Sequence, residues 1–574
     1  MIQRIRMLPG ISQSMANRIV AGTFHSIFLK FLRSNGYNQK ILANEKYKEI
    51  MIKNILRRQG LLDSYEPETI LSLISYYKSS MIYPGQLKAK TPVEKEIKNI
   101  YSQFEKDKEK ANYIDFDDIL TESFHLLENN DVLRNQLQER FRYICIDEYQ
   151  DCNRVQKELV QMLVHPKEQN LMVVGDAAQA IYLFRNASPK FILDFAQEYP
   201  HAKTVNLDTN YRSNTSIVGL GNALISHSNK PIGIQLNAKK SSDFSPLYMR
   251  PNDSDDEAKN IVDNIVSDVT NGTHKYGDFA ILYRMHSLSR AVWDELVLRD
   301  IPFVVHGVSQ VFYLNSIVKP VLDHLRLALD HNNIEAIAGI APSLYLNKEK
   351  VTDHITNLAF TQEKKDYLAL LLRMPNLKPY HQGQILNRIE NIRLLKKMPP
   401  KKAIQFIRKG SIGYNKFLEM DERKCYTIQK ELIDEILDEL ESASSKFQTV
   451  QEFIRFVDLI IQKHKEMEEL KKNPHADAVQ LLTLHAAKGL EFKCVYLIGF
   501  CEGIIPHKSI ENANEQKDRI KLDQVNMQIE ALEEERRLAY VGVTRAEEEL
   551  YISSPKKYRG KDAEVSRFLL ESFI

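Results

Sequence analysis

The sequence predicts an α/β fold in which parallel sheets are interrupted by helical insertions. Short apolar runs that end in polar loops recur at residues 143–153, 171–187, 204–213, 278–284 and 479–500. Helical patterns separate these runs, and strands that alternate with helices pair in parallel through right-handed crossovers. Residues 35–112 and 326–476 instead place their apolar residues at the three-to-four spacing of helices. These two segments are therefore predicted to be helical insertions.

The composition is that of an ordinary globular protein. The chain has 574 residues, enough for about three to four domains of ~150 residues each. Its net charge is only +2, so any nucleic-acid surface must be a local patch. No apolar stretch approaches the ~20 residues that a membrane helix needs, and the first residues are too polar for a secretion signal. We expect a cytoplasmic protein without a membrane partner.

The five cysteines are not spaced like those of disulfide-rich proteins or of zinc sites. They are Cys145, Cys152, Cys425, Cys494 and Cys501, an odd number with no close C-x-x-C pair. This spacing argues against a disulfide framework and against a zinc site. Cys145 and Cys494 lie in strand-like runs, where cysteine acts as a small apolar residue. A reduced protein is predicted.

Two adjacent carboxylates follow the first strand-like run. Residues 143–153 read YICIDEYQDCN, so Asp147 and Glu148 come directly after an apolar run typical of a buried strand. Ligands of open α/β sheets gather outside the carboxyl ends of the strands. There, one carboxylate can hold Mg²⁺ while the other orients or deprotonates the water that attacks a nucleotide. The alternative is an acidic loop that caps the next helix, which this motif alone would favour.

Two further strand-to-loop segments carry groups suited to nucleotides or nucleic acid. In LMVVGDAAQAIYLFRNA (171–187), Gln179 can contact a phosphate or a water, while Phe184 and Arg185 offer a stacking face and a cation. In TVNLDTNYRS (204–213), one aromatic and one basic residue are adjacent. Tyr211 can lie against a purine, and Arg212 can bind a phosphate through its guanidinium fork.

Near the N-terminus, residues 19–25 (IVAGTFH) predict a strand that enters a loop. Thr23, His25 and Ser26 are small polar donors suited to a phosphate backbone. The alternative is that Thr23 or Ser26 is an ordinary helix N-cap, and these residues alone would favour that alternative.

Helical periodicity is clearest at residues 46–58, 69–79 and 93–110, where apolar stripes alternate with Lys and Glu. Most of these charges are expected to be solvated helix faces. Residues 113–120, YIDFDDIL, open a further helix with acids in its first turn, which the helix dipole favours.

The last hundred residues return to strands. Residues 479–500 predict two strands around a glycine-containing loop, and 512–535 predict a charged helix or a disordered loop. A final helix-like segment ends at Arg545, and a last strand follows at 549–553.

Several of these segments together resemble one family. The motifs DEYQD, VVGDAAQAIYLFR, NYRS, LTLHAAKGLEF and EERRLAYVGVTRA occur in the order and spacing of superfamily 1 DNA helicases of the UvrD/PcrA/Rep type. TFHS at 23–26 and YIDFDDIL at 113–120 match the same family, and the resemblance covers residues 1 to about 553. One such motif would be weak support, but this many in register leave little room for coincidence.

The resemblance implies two RecA-like parallel-sheet motor domains, the first incomplete at its N-terminus, each with a mainly helical inserted subdomain. The first motor domain would be residues 1–34 with 113–205, and residues 35–112 would be its insertion. The second motor domain would be residues 206–325 with 477–574, and residues 326–476 would be its insertion. The resemblance also implies ATP and Mg²⁺ as cofactors, and single-stranded and duplex DNA as the molecules acted on.

The resemblance further implies roles for individual residues. Asp147 would coordinate Mg²⁺, and Glu148 would be the base for the attacking water. The remaining catalytic and nucleotide-binding residues would be Gln179, Tyr211, Arg212, Glu491 and Arg545, the last as an arginine finger. The residues that track DNA would be Thr23, His25, Tyr182, Phe184, Arg185, Thr483 and His485. Phosphoryl transfer requires such charge neutralisation around the phosphates.

One motif of the family does not occur in the sequence. The phosphate-cradling pattern G-x-x-x-x-G-K-[ST] is missing, and the Gly560–Lys561 pair is followed by Asp562 in a polar tail. Residues 1–10 resemble the helix that follows this loop in the family. We therefore expect a helicase that lacks its first ~70 or more residues and whose hydrolysis of ATP is severely impaired.

Two functions follow from these observations. The first is an ATP-dependent DNA helicase that moves 3′ to 5′, as the resemblance implies, of which this chain is a fragment. The second is a nucleic-acid-binding or regulatory remnant that no longer hydrolyses ATP. An upstream phosphate-binding loop in the same reading frame would exclude the second function.

Overall fold

The computed structural model describes residues 2–62, 64–183, 186–229, 234–307, 311–359, 366–419, 430–470, 473, 476–510 and 527–573. The chain divides into two compact units, Met1–Val205 and Asn206–Ile574. Both units combine helices with parallel strands, which confirms the predicted α/β class.

The first unit is mainly helical and contains two short pairs of parallel strands. β1 (Lys40–Ile41) pairs with β2 (Tyr113–Ile114), and β3 (Ile144–Ile146) pairs with β4 (Leu171–Val173). The α-helices span Ile2–Arg6, Gln13–Arg18, Phe24–Ser34, Glu45–Arg58, Pro67–Ser79, Pro92–Lys110, Phe116–Glu128, Asp131–Arg140, Arg154–Leu163, Lys190–Leu193 and Phe195–Glu198. In the described part of this unit, 3₁₀ turns lie among them at Pro84–Gln86, Tyr149–Asp151 and Ala177–Gln179.

Local sequence signals set where these helices begin. The Thr91 hydroxyl accepts a hydrogen bond from the Glu94 amide at 3.2 Å, and the Glu94 carboxylate accepts one from the Thr91 amide at 3.0 Å. This reciprocal capping box satisfies two backbone donors at the start of Pro92–Lys110. The three helices predicted between residues 46 and 110 are present, and each begins one or two residues earlier than expected.

The predicted strand at residues 19–25 is wrong. Thr23 is the N-cap of the helix Phe24–Ser34, and its Oγ1 accepts a hydrogen bond from the Ser26 amide at 3.3 Å. The Ser26 hydroxyl in turn donates to the Thr23 carbonyl at 2.9 Å. The helix therefore begins inside this segment, because the capping side chain ends the extended backbone before a strand can form.

The expected burial of β3 is also wrong. Tyr143, which precedes the strand, is 78% exposed, and Cys145 within it is exposed as well. The partner of β3 is β4, where Met172 is 59% exposed. An apolar run predicts a buried strand only when a layer covers it, and one face of this pair is uncovered in the described part of the unit.

The core of the first unit lies between the helices Phe24–Ser34, Phe116–Glu128 and Arg154–Leu163. The buried residues that form it are Phe28, Leu32, Ile114, Ile119, Leu120, Phe124, Leu127, Val155 and Leu159. This packing fixes the start of Phe24–Ser34, and hence Thr23 and His25, against the start of Phe116–Glu128.

The second unit is built on a six-stranded parallel sheet. A separate parallel pair, β5 (Thr209–Asn214) and β6 (Asn237–Lys240), precedes it in the chain. The strands of the sheet are β7 (Leu247–Met249), β8 (Phe279–Tyr283), β9 (Phe303–Val305), β10 (Val479–Thr483), β11 (Phe492–Leu497) and β12 (Ala546–Ser553), in the spatial order β7-β12-β11-β8-β10-β9. All residues of β8 are 0% exposed, so both faces of the sheet are covered at its centre. An antiparallel pair, β13 (Lys557–Tyr558) and β14 (Lys561–Asp562), follows.

Helices surround this sheet and fill the long segment between β9 and β10. They span Thr215–Ser226, Ser254–Thr270, Arg290–Leu298, Val318–Leu329, Ile334–Ile340, Lys348–Ala359, Pro379–Leu395, Pro400–Lys409, Tyr414–Glu419, Lys430–Ser444, Val450–Leu470, Met527–Val543 and Arg567–Glu571. Helices make up most of the described residues from 318 to 470, and no strand lies among those described residues. The bounds 326–476 of the helical insertion stay a prediction. Residues 511–526, which include most of the predicted charged segment, lie outside the described residues. In the described part of the chain, every helix is too short or too polar to cross a membrane.

The pairing of β11 with β12 has one irregular step. Phe492 is opposite Ala546, whereas the next paired positions are Cys494 and Glu549. One extra residue of β12 lies between these two rungs, which is the arrangement of a β-bulge. The bulge is next to the point where both strands begin.

A carboxylic acid is buried where the helix Ser254–Thr270 packs on the sheet. Glu257 is 4% exposed, and its Oε1 accepts a hydrogen bond from the Gly499 amide at 3.1 Å. Burial disfavours the charged form and raises the pKa of Glu257 to about 7. The folded protein therefore keeps this proton at a pH where the unfolded chain has lost it.

The raised pKa predicts that Glu257 makes the protein less stable as pH rises. Between the ordinary glutamate pKa and about 7, the folded state binds more protons than the unfolded state, so the unfolding free energy falls with increasing pH. The loss attributable to Glu257 should reach about 3 kcal/mol. In Glu257→Gln, urea unfolding between about pH 5 and pH 8 should show a correspondingly shallower decline. Glu390→Gln changes an exposed helix position and should keep the wild-type dependence of the unfolding free energy on pH. The same pH dependence in the wild type and both variants would contradict the raised pKa of Glu257.

Candidate functional site

The two adjacent carboxylates of the first unit lie at the end of β3. Asp147 and Glu148 are both exposed, and the Glu148 amide donates to Asp147 Oδ1 at 3.0 Å. Glu148 has φ +52°, in the left-handed region that residues with a Cβ seldom adopt. Such conformations persist only where the surrounding structure fixes them, and they cluster at functional sites.

Gln150 fixes the carboxylate of Glu148. Its Nε2 donates to Glu148 Oε2 at 2.5 Å, and its Oε1 accepts from the Asp176 amide at 3.0 Å. Gln150 is 0% exposed, so the amide group that makes both bonds is buried. A Cβ at Gly175 would lie 2.3 Å from Gln150 Oε1, which explains why that position is glycine.

The same chain of hydrogen bonds reaches Gln179. Asp176 Oδ2 accepts from Gln179 Nε2 at 2.7 Å, while Asp176 Oδ1 accepts from the Ala178 amide at 2.9 Å. Glu148, Gln150, Asp176 and Gln179 are thus joined in sequence. The sequence motifs indicated the first and last of these residues, but they gave no sign that Gln150 is the buried link.

The loop after Gln179 is attached to the helix Pro67–Ser79. Tyr182 is half-buried, and Phe184 and Arg185 lie outside the described residues. Asn186 has φ +61°, and its Nδ2 donates to the Tyr76 carbonyl at 2.8 Å and to the hydroxyls of Ser79 and Ser80 at 2.9 and 2.6 Å. These bonds hold the end of the loop, and sequence reasoning had not singled out this residue.

The helix Pro67–Ser79 also carries Lys78, which belongs to a buried network of charged side chains. Lys78 Nζ donates to Asp115 Oδ1 at 2.9 Å and also to Asp118, and Lys108 Nζ donates to Asp118 Oδ2 at 2.6 Å. Both lysine side chains are 2% exposed. Burial opposes the charged form of Lys78, but Asp115 and Asp118 outweigh it and raise its pKa well above the ordinary value. Lys78 therefore keeps its positive charge although it is buried.

The predicted DNA-contacting residues Thr23 and His25 lie at the start of Phe24–Ser34. Thr23 is exposed and serves as the N-cap. The His25 ring meets the edge of Phe116 with 5.9 Å between ring centroids. Burial lowers the pKa of His25, so its ring is neutral at pH 7 and can act as a hydrogen-bond donor without a charge.

In the second unit, the structure brings together four of the predicted nucleotide-binding residues. Arg212 Nε donates to Glu491 Oε2 at 2.8 Å, and its other end donates to the Thr544 carbonyl at 3.2 Å. The hydrogen bond from Arg212 lowers the pKa of Glu491 and keeps this carboxylate ionised. Tyr211 is 71% exposed, which leaves its ring face open to a planar ligand.

Arg545 lies beside this group but is buried. Its side chain is held by backbone carbonyls: Nε donates to Val541 at 3.0 Å and one terminal nitrogen donates to Leu490 at 3.1 Å. Only 1% of Arg545 is exposed. The pairing of Phe492 with Ala546 brings it next to Glu491, because these residues directly precede the two strands.

Thr483 is the last residue of β10 and His485 follows it, and both line a cavity of about 330 Å³ within the second unit. Aromatic and basic side chains line it as well: Arg284, His286, Trp293, Phe312 and Tyr313. Aromatic faces and cations together suit single-stranded nucleic acid. Sequence reasoning had placed Arg284 only at the end of a strand, because periodicity does not show which side chains face a common cavity.

Two family models and several known proteins match this chain along nearly its whole length. The family model of the UvrD/REP helicase N-terminal domain matches residues 1–200, and that of the UvrD-like helicase C-terminal domain matches residues 205–557. The Bacillus subtilis protein YjcD, named as an ATP-dependent DNA helicase, is 35% identical over 99% of this chain and 73% of its own length. The ATP-dependent DNA helicase Rep of Buchnera aphidicola is 30% identical over 96% and 85%. The ATP-dependent DNA helicase PcrA of Bacillus subtilis is 30% identical over 94% and 73%.

The attachment at Asn186 predicts a loss of stability in Asn186→Gly. Glycine accepts the positive φ, so the main change is the loss of the side chain that reaches Tyr76, Ser79 and Ser80. The unfolding free energy should fall by about 1–3 kcal/mol in urea unfolding followed by circular dichroism. Asn112→Gly is the matched control, because Asn112 also has a positive φ but is exposed. A loss no larger than that of the control would contradict the role of Asn186.

The link through Gln150 predicts faster hydrogen exchange in Gln150→Met. Methionine fills similar space but cannot accept from the Asp176 amide, whose exchange with deuterium should accelerate by on the order of tenfold. Mass spectrometry of peptides that cover residues 171–179 measures this. Gln138→Met, which removes a side chain that donates to the Met162 carbonyl at 2.8 Å, should leave those peptides unchanged. Unchanged exchange in Gln150→Met would show that Gln150 does not hold this loop.

Proposed function

Since the chain belongs to the UvrD/PcrA/Rep family of ATP-dependent DNA helicases, we propose that it couples ATP hydrolysis to 3′-to-5′ movement along DNA. The observation that supports this most is the hydrogen-bonded chain from Glu148 through Gln150 and Asp176 to Gln179. It joins a carboxylate suited to activate water to an amide suited to contact the terminal phosphate, so the two groups can respond to the same ligand.

Asp147 is proposed to hold Mg²⁺. Its carboxylate is exposed at the end of a strand and offers the hard oxygen donors that this ion prefers. Mg²⁺ would neutralise charge on the phosphates. Glu148, oriented by the amide of Gln150, would accept the proton of the attacking water.

The exposed group of the second unit is proposed to contact ATP. Tyr211 would stack on the adenine, Glu491 would accept from the ribose hydroxyls, and Arg212 would bind the γ-phosphate. Arg545 would serve as the arginine finger. Its guanidinium is bonded to the carbonyls of Val541 and Leu490, so it must exchange those bonds for phosphate oxygens when the nucleotide is in place.

DNA is proposed to contact residues of both units. Thr23, His25 and Tyr182 would do so in the first unit, together with Phe184 and Arg185 by family resemblance. In the second unit, Thr483 and His485 would contact the strand at the cavity that Trp293 and Phe312 also line. The assignment of residues 1–34 with 113–205 and 206–325 with 477–574 to the motor domains is part of this proposal.

A second candidate function is DNA binding without ATP turnover. The observation that favours it is that the sequence contains no G-x-x-x-x-G-K-[ST] pattern, whose backbone amides and lysine normally bind the β- and γ-phosphates. Such a protein would retain the DNA-contacting side chains and would have a regulatory function instead of a motor function.

Glu148→Gln tests the proposed function. Glutamine keeps the shape of the side chain but cannot take a proton, so ATP hydrolysis stimulated by single-stranded DNA should disappear while DNA binding persists. Hydrolysis is measured by phosphate release, and binding is measured by the fluorescence anisotropy of a labelled oligonucleotide. Glu168→Gln is the matched control, because Glu168 is an exposed carboxylate of the same unit.

The outcomes separate the two candidates. Stimulated hydrolysis that is lost in Glu148→Gln and kept in Glu168→Gln supports the motor function. Tight binding of DNA by the wild-type chain with no hydrolysis supports the second candidate. Hydrolysis that is unchanged in Glu148→Gln would remove Glu148 as the base.

A further inference from the structure

Three side chains that bind metals in other proteins meet near the beginning of β11 and β12. His274 follows the helix Ser254–Thr270, Cys494 is on β11, and Glu549 is opposite Cys494 on β12. His274 Nε2 lies 3.4 Å from Cys494 Sγ and 3.5 Å from Glu549 Oε1, and Cys494 Sγ lies 3.7 Å from Glu549 Oε2. None of these residues belongs to the nucleotide or DNA sites proposed above.

These separations agree with those between ligands of one ion, and the two that involve the Cys494 sulfur also agree with sulfur hydrogen bonds. An N–H···O hydrogen bond is about 2.7–3.2 Å between heavy atoms, shorter than the distance from His274 to Glu549. Tetrahedral zinc with bonds of the usual length places neighbouring nitrogen, sulfur and oxygen ligands about 3.4–3.6 Å apart. The histidine nitrogen, the cysteine sulfur and the two carboxylate oxygens are therefore spaced like ligands of such an ion, with one oxygen facing each of the other two ligands.

The orientation of His274 supports the same interpretation. Its side chain is 7% exposed, and its Nδ1 is buried without a hydrogen-bond partner among the described residues. That nitrogen faces Asp278 Oδ2 at 3.8 Å, and the ring packs on the edge of Phe279 with centroids 5.4 Å apart. A carboxylate behind the far nitrogen is how metal-binding histidines are commonly oriented.

We propose that His274, Cys494 and Glu549 bind one divalent ion of the zinc class. Nitrogen, thiolate and carboxylate donors form a mixed set that zinc accepts and that Mg²⁺ does not favour. Three protein ligands leave a fourth position for water, and the Glu549 side chain is 24% exposed, so solvent reaches the site. The Tyr551 hydroxyl donates to Glu549 Oε2 at 2.8 Å and helps to orient this carboxylate.

The ion would join three segments of the second unit. Cys494 and Glu549 form the first rung after the β-bulge, one rung from the pair Phe492 and Ala546. The cysteine spacing argued against a zinc site, but the ligands lie 220 and 55 positions apart in the chain, which no spacing motif detects. The proposal does not depend on the proposed function, because it concerns only the ligands and the strands that carry them.

Zinc binding by the full chain tests the proposal. The purified protein is treated with a chelator, dialysed against micromolar zinc, and analysed for metal content and for the temperature of thermal unfolding. The wild-type chain should bind one zinc ion and unfold at a higher temperature with zinc than without it, because an ion that binds only the folded state stabilises it. Cys494→Ala and His274→Ala should lose both effects.

Cys501→Ala is the matched control. Cys501 is also buried in the second unit, and its Sγ lies 3.2 Å from Ser554 Oγ instead of among metal ligands. This variant should bind zinc as the wild type does. Zinc binding that persists in both Cys494→Ala and His274→Ala, or no binding by the wild-type chain, would overturn the proposal.

Cobalt provides a measurement that does not depend on variants that fold poorly. Co²⁺ bound through Cys494 should give the charge-transfer absorption of a cobalt–thiolate bond and the visible bands of a tetrahedral site. Glu549→Gln keeps the shape of the side chain and its contact with Tyr551, and it should weaken cobalt binding. Octahedral bands without a thiolate transition in the wild-type chain would overturn the assignment of Cys494 as a ligand.

Discussion

The parallel pairing of β11 with β12 is the constraint on which the chemistry of the second unit depends. Parallel neighbours must be joined by long crossovers, so residues that begin adjacent strands are far apart in the chain. Here the pairing of Phe492 with Ala546 brings Glu491 next to Arg545. Arg212 then reaches Glu491 at 2.8 Å across a sequence separation of 279 positions. An exposed tyrosine, two arginines and a carboxylate thus gather at one edge, although no local segment contains them all.

The first unit depends on buried polar contacts more than on its short strands. Asn186 attaches the end of the Gln179 loop to the helix Pro67–Ser79, and Lys78 on that helix is paired with Asp115 and Asp118. Removal of one partner from such a buried network leaves an uncompensated charge and typically costs about 3–5 kcal/mol. The network therefore fixes where the helix Phe116–Glu128 begins, which is where the ring of His25 packs. The loop of Gln179 and the predicted DNA-contacting N-cap share one rigid support.

How far the sequence predicts this protein differs between its elements. The α/β class, the helices of 46–110, the strand near 279–283, the two strands within 479–500 and the last strand around 549–553 follow from periodicity and capping, which act over a few residues. The family follows from motifs in order. The burial of a strand cannot be predicted in this way, because an apolar run such as that around Cys145 is buried only if another layer covers it. Gln150, Asn186 and the cavity around Thr483 were not predicted, since each depends on contacts between distant segments.

Two clusters in this protein have ligand-like geometry, and their charges explain why only one is proposed to hold a metal. Glu105, Asp115 and Asp118 lie close enough to share an ion, but the ammonium groups of Lys78 and Lys108 already occupy the space between them. At His274, Cys494 and Glu549, the described residues place no lysine or arginine against the Glu549 carboxylate. The Glu549 carboxylate is only partly buried, and its neighbours in the described residues include the His274 ring and the Tyr551 hydroxyl. A zinc-class ion would therefore find space between these ligands and match their observed separations. Lysines neutralise the carboxylates of the cluster in the first unit, and the proposed ion would do so in the second.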